Sequence, residues 1–322
     1  MKKIFFALCA VAALASCSNN EIVNLDQEAI AFDNAFVDNA TRAIDGFTLT
    51  KDVLKTNGQN FQVWGTTTRG TNDPVSILAG VYVTYDGSTW TYPVENTQYW
   101  IPTNIYNFAA VKNGEVKTLV AGLPETIYYN ATAQADLICD VTDNTYTAIA
   151  AGNPTVGFTF EHLLSKVFFS VNNTMATNGN LNYTYRVSNI CINNAVQDGT
   201  YTVSTGVWAA GTAAYTADAP LKFGNVNDSA TEGAAAVKIG AGETITSNNA
   251  RLLVPQDYDA LNITCVIETL YGDDVIDVKD YNANLDVELV KGRVYNFVFS
   301  LGNPGEKIEF TVTDVNGWVN GL

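Results

Sequence analysis

The sequence has little of what most catalytic and nucleic-acid-binding sites are made from. It contains one histidine, and 17 Lys+Arg stand against 33 Asp+Glu, for a net charge of −16. The lone His162 lies in an apolar run, which favours a structural histidine over a general base and leaves no Ser-His-Asp set to argue. An acidic surface repels nucleic acid. We therefore predict no enzyme activity, no cofactor and no nucleic-acid partner.

Cysteine is too sparse for a disulfide framework. Cys9 and Cys17 lie in the N-terminal export region, which leaves Cys139, Cys191 and Cys265 in the body of the chain. This odd count allows at most one internal disulfide. Cys191 and Cys265 stand in apolar, strand-like runs, so buried free thiols are favoured and a single disulfide is the alternative.

Acidic clusters and aromatic residues are the weaker candidates for binding sites. The clusters at 136–143 and 273–280 lack the spacing of a calcium loop, which favours acidic turns. Exposed aromatic rings can stack on sugars, but in β-proteins they more often fill the core. The rings in question are Trp64, Trp90, Tyr92, Tyr99 and Trp100. A glycan-binding surface lipoprotein is kept as an alternative.

Long hydrophobic runs are missing except at the N-terminus. There, Met1-Lys2-Lys3 precedes an apolar core at 4–14 that is too short to span a bilayer, and Leu14-Ala15-Ser16-Cys17 follows. This order is typical of a lipoprotein signal peptide over residues 1–16, after which Cys17 carries the lipid. The alternative is an ordinary signal peptide that contains a cysteine.

The rest of the chain is typical of an all-β protein. Val, Thr, Tyr, Asn and Gly are abundant, and no long run has the period of a helix. About 280 residues follow Arg42, which suits two domains. We predict an N-terminal β-sandwich over 43–155 and a C-terminal β-sandwich over 156–322.

A propeptide over residues 17–42 separates the signal from the body. Within it, residues 29–37 alternate like a strand, and their apolar face consists of Ile30, Phe32 and Phe36. A lone basic residue then stands at the junction with the body, which predicts protease cleavage between Arg42 and Ala43. The alternative is a solvated arginine in a flexible tail.

A second strand-like segment closes the chain. Within residues 306–318, apolar residues alternate with polar ones, and the apolar set is Ile308, Phe310 and Val312. The pattern alone does not separate a strand that is kept in its own domain from one that is given to a neighbour.

Several motifs, taken in order, resemble one family along the whole chain. They are the lipobox at Cys17, Tyr99-Trp100-Ile101-Pro102, Phe160-Glu161-His162-Leu163-Leu164-Ser165-Lys166-Val167, Leu253-Val254-Pro255-Gln256, Lys291-Gly292-Arg293-Val294-Tyr295-Asn296-Phe297 and Val312-Thr313-Asp314-Val315-Asn316-Gly317-Trp318. The chain is similar to the fimbrillins, the lipoprotein-derived type V pilins of Bacteroides-like bacteria. The resemblance implies two tandem transthyretin-like β-sandwich domains and a precursor held at the cell outer membrane.

The resemblance also implies a mode of assembly. An Arg-specific protease would cut after Arg42 and release the strand at 29–37, and a neighbour's strand at 306–318 would take its place. The implied product is an extracellular fimbria built from copies of the chain and other pilin subunits, with adhesion to a host or bacterial surface receptor. A stalk subunit is favoured, and a tip adhesin or an anchor is the alternative.

Overall fold

The computed structural model describes residues 28–33, 36–37, 54–141, 144–177, 183–227, 234–247 and 249–317, with the backbone alone at 36–37 and 314–317. Regular structure in these ranges is almost entirely strand, which confirms the all-β prediction. The strands are β1 (Phe36–Val37), β2 (Asn60–Thr68), β3 (Val75–Tyr85), β4 (Trp90–Thr91), β5 (Ile105–Lys112), β6 (Glu115–Val120), β7 (Leu123–Asn130), β8 (Ile138–Asp140), β9 (Thr145–Thr147), β10 (Thr159–His162), β11 (Ser165–Asn173), β12 (Tyr183–Ile192), β13 (Asp198–Thr202), β14 (Val207–Ala210), β15 (Leu221–Gly224), β16 (Thr244–Thr246), β17 (Arg251–Leu253), β18 (Asp257–Tyr271), β19 (Asp274–Glu288), β20 (Arg293–Leu301) and β21 (Glu309–Gly317).

The first lobe is built on one eight-stranded sheet. Its order is β1-β10-β8-β5-β2-β3-β4, and β9 pairs with β5. Apolar side chains alternate along its strands, so that Phe61 and Val63 of β2 and Phe108 and Ala110 of β5 all enter one core. This core is rich in aromatic rings, which the alternating sequence places on the inner face of the sheet.

The second lobe is a sandwich of two sheets. One has the order β16-β11-β20-β21 with β17 beside β11, and the other has the order β15-β12-β18-β19. Aromatic rings fill the space between them, and the ring of Phe169 lies 4.7 Å from that of Phe223 and 5.4 Å from that of Phe297, centroid to centroid. Burial alternates along β20, whose inward-facing residues are Tyr295, Phe297, Phe299 and Leu301.

A fourth sheet joins the two lobes. Its order is β14-β13-β7-β6, so it combines two strands from each half of the chain. In addition, β10 pairs with β8 of the first lobe. The first lobe therefore extends beyond residue 155, which is the predicted boundary between the two domains. The apolar pattern of β10 suits either lobe equally well, and only its pairing partner decides the matter.

His162 lies at the junction between the lobes. Its Nδ1 atom is 3.0 Å from Oδ2 of Asp136, and both side chains are almost wholly inaccessible to solvent. The sequence predicted a structural histidine bonded to neighbouring backbone groups, and the partner that the structure shows is a buried carboxylate.

Strand directions define two ends of the molecule. In the first lobe, β2 begins near the junction and ends at residue 68, opposite Ile105. We call the loops at 68–75, 98–105 and 147–153 the first tip. In the second lobe, β18 and β20 run away from the junction and end at 271 and 301. We call the turns at 271–274 and 301–308 the second tip.

Candidate functional site

The N-terminal segment at 28–33, called the leader strand below, closes the first-lobe sheet on itself. Phe32 pairs antiparallel with Trp90 of β4, which is one edge of the sheet, and parallel with Val156, which leads into β10 near the other edge. The backbone of β1 continues this parallel pairing, with Phe36 opposite Thr159. The leader strand therefore fills a seam that is one strand wide.

Main-chain hydrogen bonds hold the leader strand on both sides. They run from Ile30 N–H to Gln98 O (2.8 Å), from Trp100 N–H to Glu28 O (3.0 Å), from Val156 N–H to Ala31 O (2.8 Å) and from Asp33 N–H to Val156 O (2.9 Å). The Tyr92 hydroxyl donates a fifth bond, of 2.8 Å, to Ile30 O. Each such bond contributes about 0.5–1.5 kcal/mol net.

Two side chains of the leader strand enter the core of the first lobe. Ile30 is 1% exposed and Phe32 is 4% exposed. The ring of Phe32 meets those of Tyr92, Phe158 and Phe108 at centroid distances of 5.3, 6.0 and 6.1 Å. Burial of two side chains of this size stabilises the strand by roughly 1.5–3 kcal/mol each.

Other predicted residues of this region lie outside the described residues. They are Cys17, Arg42, Ala43 and the side chain of Phe36.

The last strand, β21, is paired within its own domain. It forms the edge of its sheet and runs antiparallel to β20. Its apolar residues Phe310 and Val312, and Ile308 just before it, are only half-buried, and the Phe310 ring lies 4.7 Å from that of Phe299. The sequence left open whether this strand stays in its own domain or is given to a neighbour. In this conformation of the subunit the strand stays in its own domain, where it pairs with β20.

A short loop of hinge-like composition connects β20 to β21. Its sequence is Gly302-Asn303-Pro304-Gly305-Glu306-Lys307, and Gly305 has a φ of +93°, which favours glycine. Glu306 accepts hydrogen bonds from the side chain and the backbone N–H of Asn303, both of 2.8 Å, and these bonds hold the pKa of its carboxyl below the usual 4.5. The loop is thus held by the hydrogen bonds between Asn303 and Glu306, and few of its side chains are bulky.

Comparison with known proteins identifies the family of this chain. A sequence model described as fimbrillin-like matches residues 41–318. The chain belongs to the fimbrillin-like family. A second model, for the lipid attachment site of prokaryotic membrane lipoproteins, matches residues 1–18, which include Cys17. Membership and this match together make the fimbrillin-like chain a surface-exposed, membrane-anchored lipoprotein.

Solved structures share the fold of this fimbrillin-like chain. A fimbrial protein from Bacteroides vulgatus is 14% identical, with a TM-score of 0.67, and the match covers 90% of this chain and 99% of that one. A protein from Bacteroides ovatus, described in terms of cell adhesion, is 15% identical with a TM-score of 0.52 over 92% and 99% of the two chains. No curated protein matches the sequence.

The structure also places the other candidate residues of this fimbrillin-like chain. Trp64, Trp90 and Trp100 are buried, as expected of core residues, whereas Tyr99 is exposed. Free thiols are confirmed for all three body cysteines, but Cys191 is only half-buried where a buried thiol was predicted. Burial raises the pKa of Cys139 to about 12. In the described ranges, no His, Cys, Asp and Glu side chains group to hold a metal ion. The same ranges contain no helix suited to cross a membrane.

Sequence reasoning missed one side of the leader strand. The pattern at 29–37 indicates which side chains face inward, but it carries no signal for the pairing with Trp90 and with 98–100, about 60 residues further along the chain. The structure does bury Ile30 and Phe32, which the pattern places on the inward face of the leader strand.

Proposed function

We propose that this fimbrillin-like chain is a structural stalk subunit of a fimbria and that it assembles by strand exchange. The precursor would be held at the cell outer membrane by a lipid on Cys17. An Arg-specific protease would then cut between Arg42 and Ala43, which frees the body from its lipid and separates the leader strand from it. A neighbour's last strand would replace the leader strand. The subunit needs no catalysis and no cofactor for this role.

The seam filled by the leader strand is the observation that carries the proposal. Strands in a sheet lie about 4.8 Å apart, so removal of one leaves two sheet edges roughly 10 Å apart with an apolar floor between them. Such a slot has hydrogen-bonding groups on both walls and a pocket that only an apolar side chain fills. A strand seated there gains more than one added to an open edge, because it pairs on both sides.

The last strand fits this slot in spacing. Ile30-Ala31-Phe32 of the leader strand and Ile308-Glu309-Phe310 at the start of the last strand have the same Ile-x-Phe order. In this register Ile308 replaces Ile30, and Phe310 takes the place of Phe32 among the rings of the first-lobe core. A strand alternates its side chains with a period of two, so both residues then point inward together.

The last strand also fits in direction. The leader strand runs from the first tip toward the junction, since Ala29 pairs with Tyr99 and residue 37 pairs with residue 160. The last strand runs from the second tip toward the junction of its own subunit. A neighbour whose second tip meets the first tip therefore supplies β21 in the direction that the leader strand had.

A contact of this kind propagates. The donor and the acceptor surfaces are different parts of the chain, so the interface is heterologous and leads to an open fibre outside the cell. We favour a stalk subunit over a tip adhesin because a donor strand on a hinge loop is present together with the acceptor seam. Adhesion to a surface receptor would be a property of the fibre as a whole.

Cleavage of the purified precursor by an Arg-specific protease tests the proposal. We expect a ladder of polymers on a denaturing gel run without boiling. Arg42→Ala should abolish the ladder, while Arg69→Ala, in an exposed loop of the first tip, should not. A wild-type product that stays monomeric, or that only caps an existing polymer, would overturn the stalk role.

A further inference from the structure

Exposed apolar side chains gather at the two tips of the molecule. At the first tip, Tyr99, Ile101, Ile105 and Ile149 are 38–52% exposed. They surround the start of the leader strand: Tyr99 pairs with Ala29, and Ile149 N–H donates to Asn153, whose own N–H bonds to Glu28. Contiguous apolar surface on a protein marks an interaction site.

The second tip carries a matching apolar group on the β18–β19 hairpin. Tyr271, Val275 and Ile276 are 45–53% exposed around its turn. The ring of Tyr271 packs on that of Tyr183 of β12, with centroids 5.4 Å apart. In the same strand, the Tyr185 hydroxyl donates a hydrogen bond to Gly302 O at the start of the hinge loop. The hairpin turn and the hinge of the last strand thus lie at one end of the molecule.

The length of the hinge loop brings these two surfaces together. Between Leu301, where β20 ends, and Ile308 the chain has seven steps, which span at most about 24 Å when fully extended. If Ile308 seats in the Ile30 pocket of an acceptor, then Leu301 of the donor lies within that distance of the acceptor's first tip. Since Leu301 and the hairpin turn share one end of the donor, the second tip must face the first tip.

We propose that the apolar group of the first tip is a docking surface for the β18–β19 hairpin turn of a second copy of this chain. The proposal rests on the proposed strand exchange and adds a rigid contact to it. This contact aligns the donor so that its last strand meets the seam in the correct direction, and it limits bending between subunits. The docking contact should therefore speed the assembly of whole subunits, and it should not change the affinity of the seam for an isolated strand peptide.

The test compares whole-subunit assembly with binding of a strand alone. After cleavage by an Arg-specific protease, polymer growth is followed by light scattering. In a separate, freshly cleaved sample of the same variant, a synthetic peptide of residues 306–317 measures seam binding. We expect Ile101→Asp or Ile149→Asp at the first tip, and Ile276→Asp at the second tip, to slow growth at least tenfold. Peptide binding should stay within twofold of wild type. Val207→Asp is the matched control, because Val207 is 59% exposed on β14 of the sheet that joins the two lobes and is not among the apolar residues of either tip.

A charge pair provides a positive test. Ile101→Lys combined with Ile276→Asp in one chain should grow faster than Ile276→Asp alone, because each contact then joins opposite charges. Wild-type growth in all three single tip variants would overturn the docking surface and leave strand exchange standing. A loss of peptide binding in both first-tip variants would also overturn it, since the surface would then support the seam instead of a neighbour. If the fully cleaved wild type does not polymerise, the proposed function fails, and the docking surface fails with it.

Discussion

Phe32→Ala is the substitution that most directly probes the leader strand. Phe32 is 4% exposed and touches three aromatic rings, so its truncation leaves a cavity in the first-lobe core. Phe→Ala changes in a core cost about 3–5 kcal/mol. If opening of the leader strand alone bears that cost, its opening equilibrium rises by roughly a hundredfold to a few thousandfold.

Hydrogen exchange of the uncleaved precursor measures this opening. Amides of 28–33 that donate to the sheet, such as Ile30 N–H, should lose protection by that factor, while β18 in the second lobe should not change. Tyr82→Ala is the matched control, because Tyr82 is 55% exposed in the same lobe and its loss should cost less than about 0.5 kcal/mol. Unchanged protection of the leader strand in Phe32→Ala would refute the packing argument.

The same variant separates the precursor from the fibre. The proposed cleavage after Arg42 would remove Phe32, so fibres grown from Phe32→Ala should dissociate as slowly as wild-type fibres. Phe310→Ala should behave in the opposite way, with a small cost to the monomer, where Phe310 is half-buried, and faster fibre dissociation. A Phe32→Ala fibre that dissociates faster than wild type would mean that the leader strand is still in place.

Three further outcomes follow from the packing of the body. In the cleaved chain at pH 8, Cys191 should react with a thiol reagent well before Cys139 and Cys265, because burial raises the pKa of both of these to about 12; equal rates for all three would contradict the burial. Gly114→Ala should lower the free energy of unfolding by about 1–3 kcal/mol in urea titration, since a Cβ there would lie 2.6 Å from Ile127 Cγ2 and from Leu137 Cδ1; an unchanged midpoint would refute this. Asp136→Ala should cost about 1–3 kcal/mol in the same assay, because it leaves His162 without its buried carboxylate partner; a neutral effect would show that the pair is dispensable.

Local patterns in the sequence predict much of the fold. The alternation of β20 and of residues 308–312 gives the correct inward faces, because a half-buried strand imposes a period of two on its own residues. The β3–β4 hairpin follows from the turn at Asp86-Gly87, which the structure shows with Asp86 N–H bonded to Thr89 O. Such features depend on a few neighbouring residues, and they are therefore visible in the sequence.

Long-range pairing is what the sequence does not reveal. Closure of the first-lobe sheet joins Phe32 to Trp90 and Val156, and the joining sheet pairs β7 with β13 across about 70 residues. The patterns of these strands are satisfied equally by other partners. The sequence does not reveal the exposed tips for a related reason. Isoleucine is usually a core residue, and only the folded structure shows that Ile101 and Ile149 lie at the surface.

A disulfide between neighbouring subunits tests the central claim most directly. In the proposed register Glu309 takes the place of Ala31, and the pairing of Phe32 with Val156 puts Ala31 beside Thr155, which is exposed. We would grow fibres from Glu309→Cys/Thr155→Cys in a Cys191→Ser background, oxidise them, and boil them in detergent without reductant. The account predicts a covalent ladder that reductant collapses to monomer, and no ladder when Thr118→Cys replaces Thr155→Cys. Monomers alone from intact, oxidised fibres would contradict it.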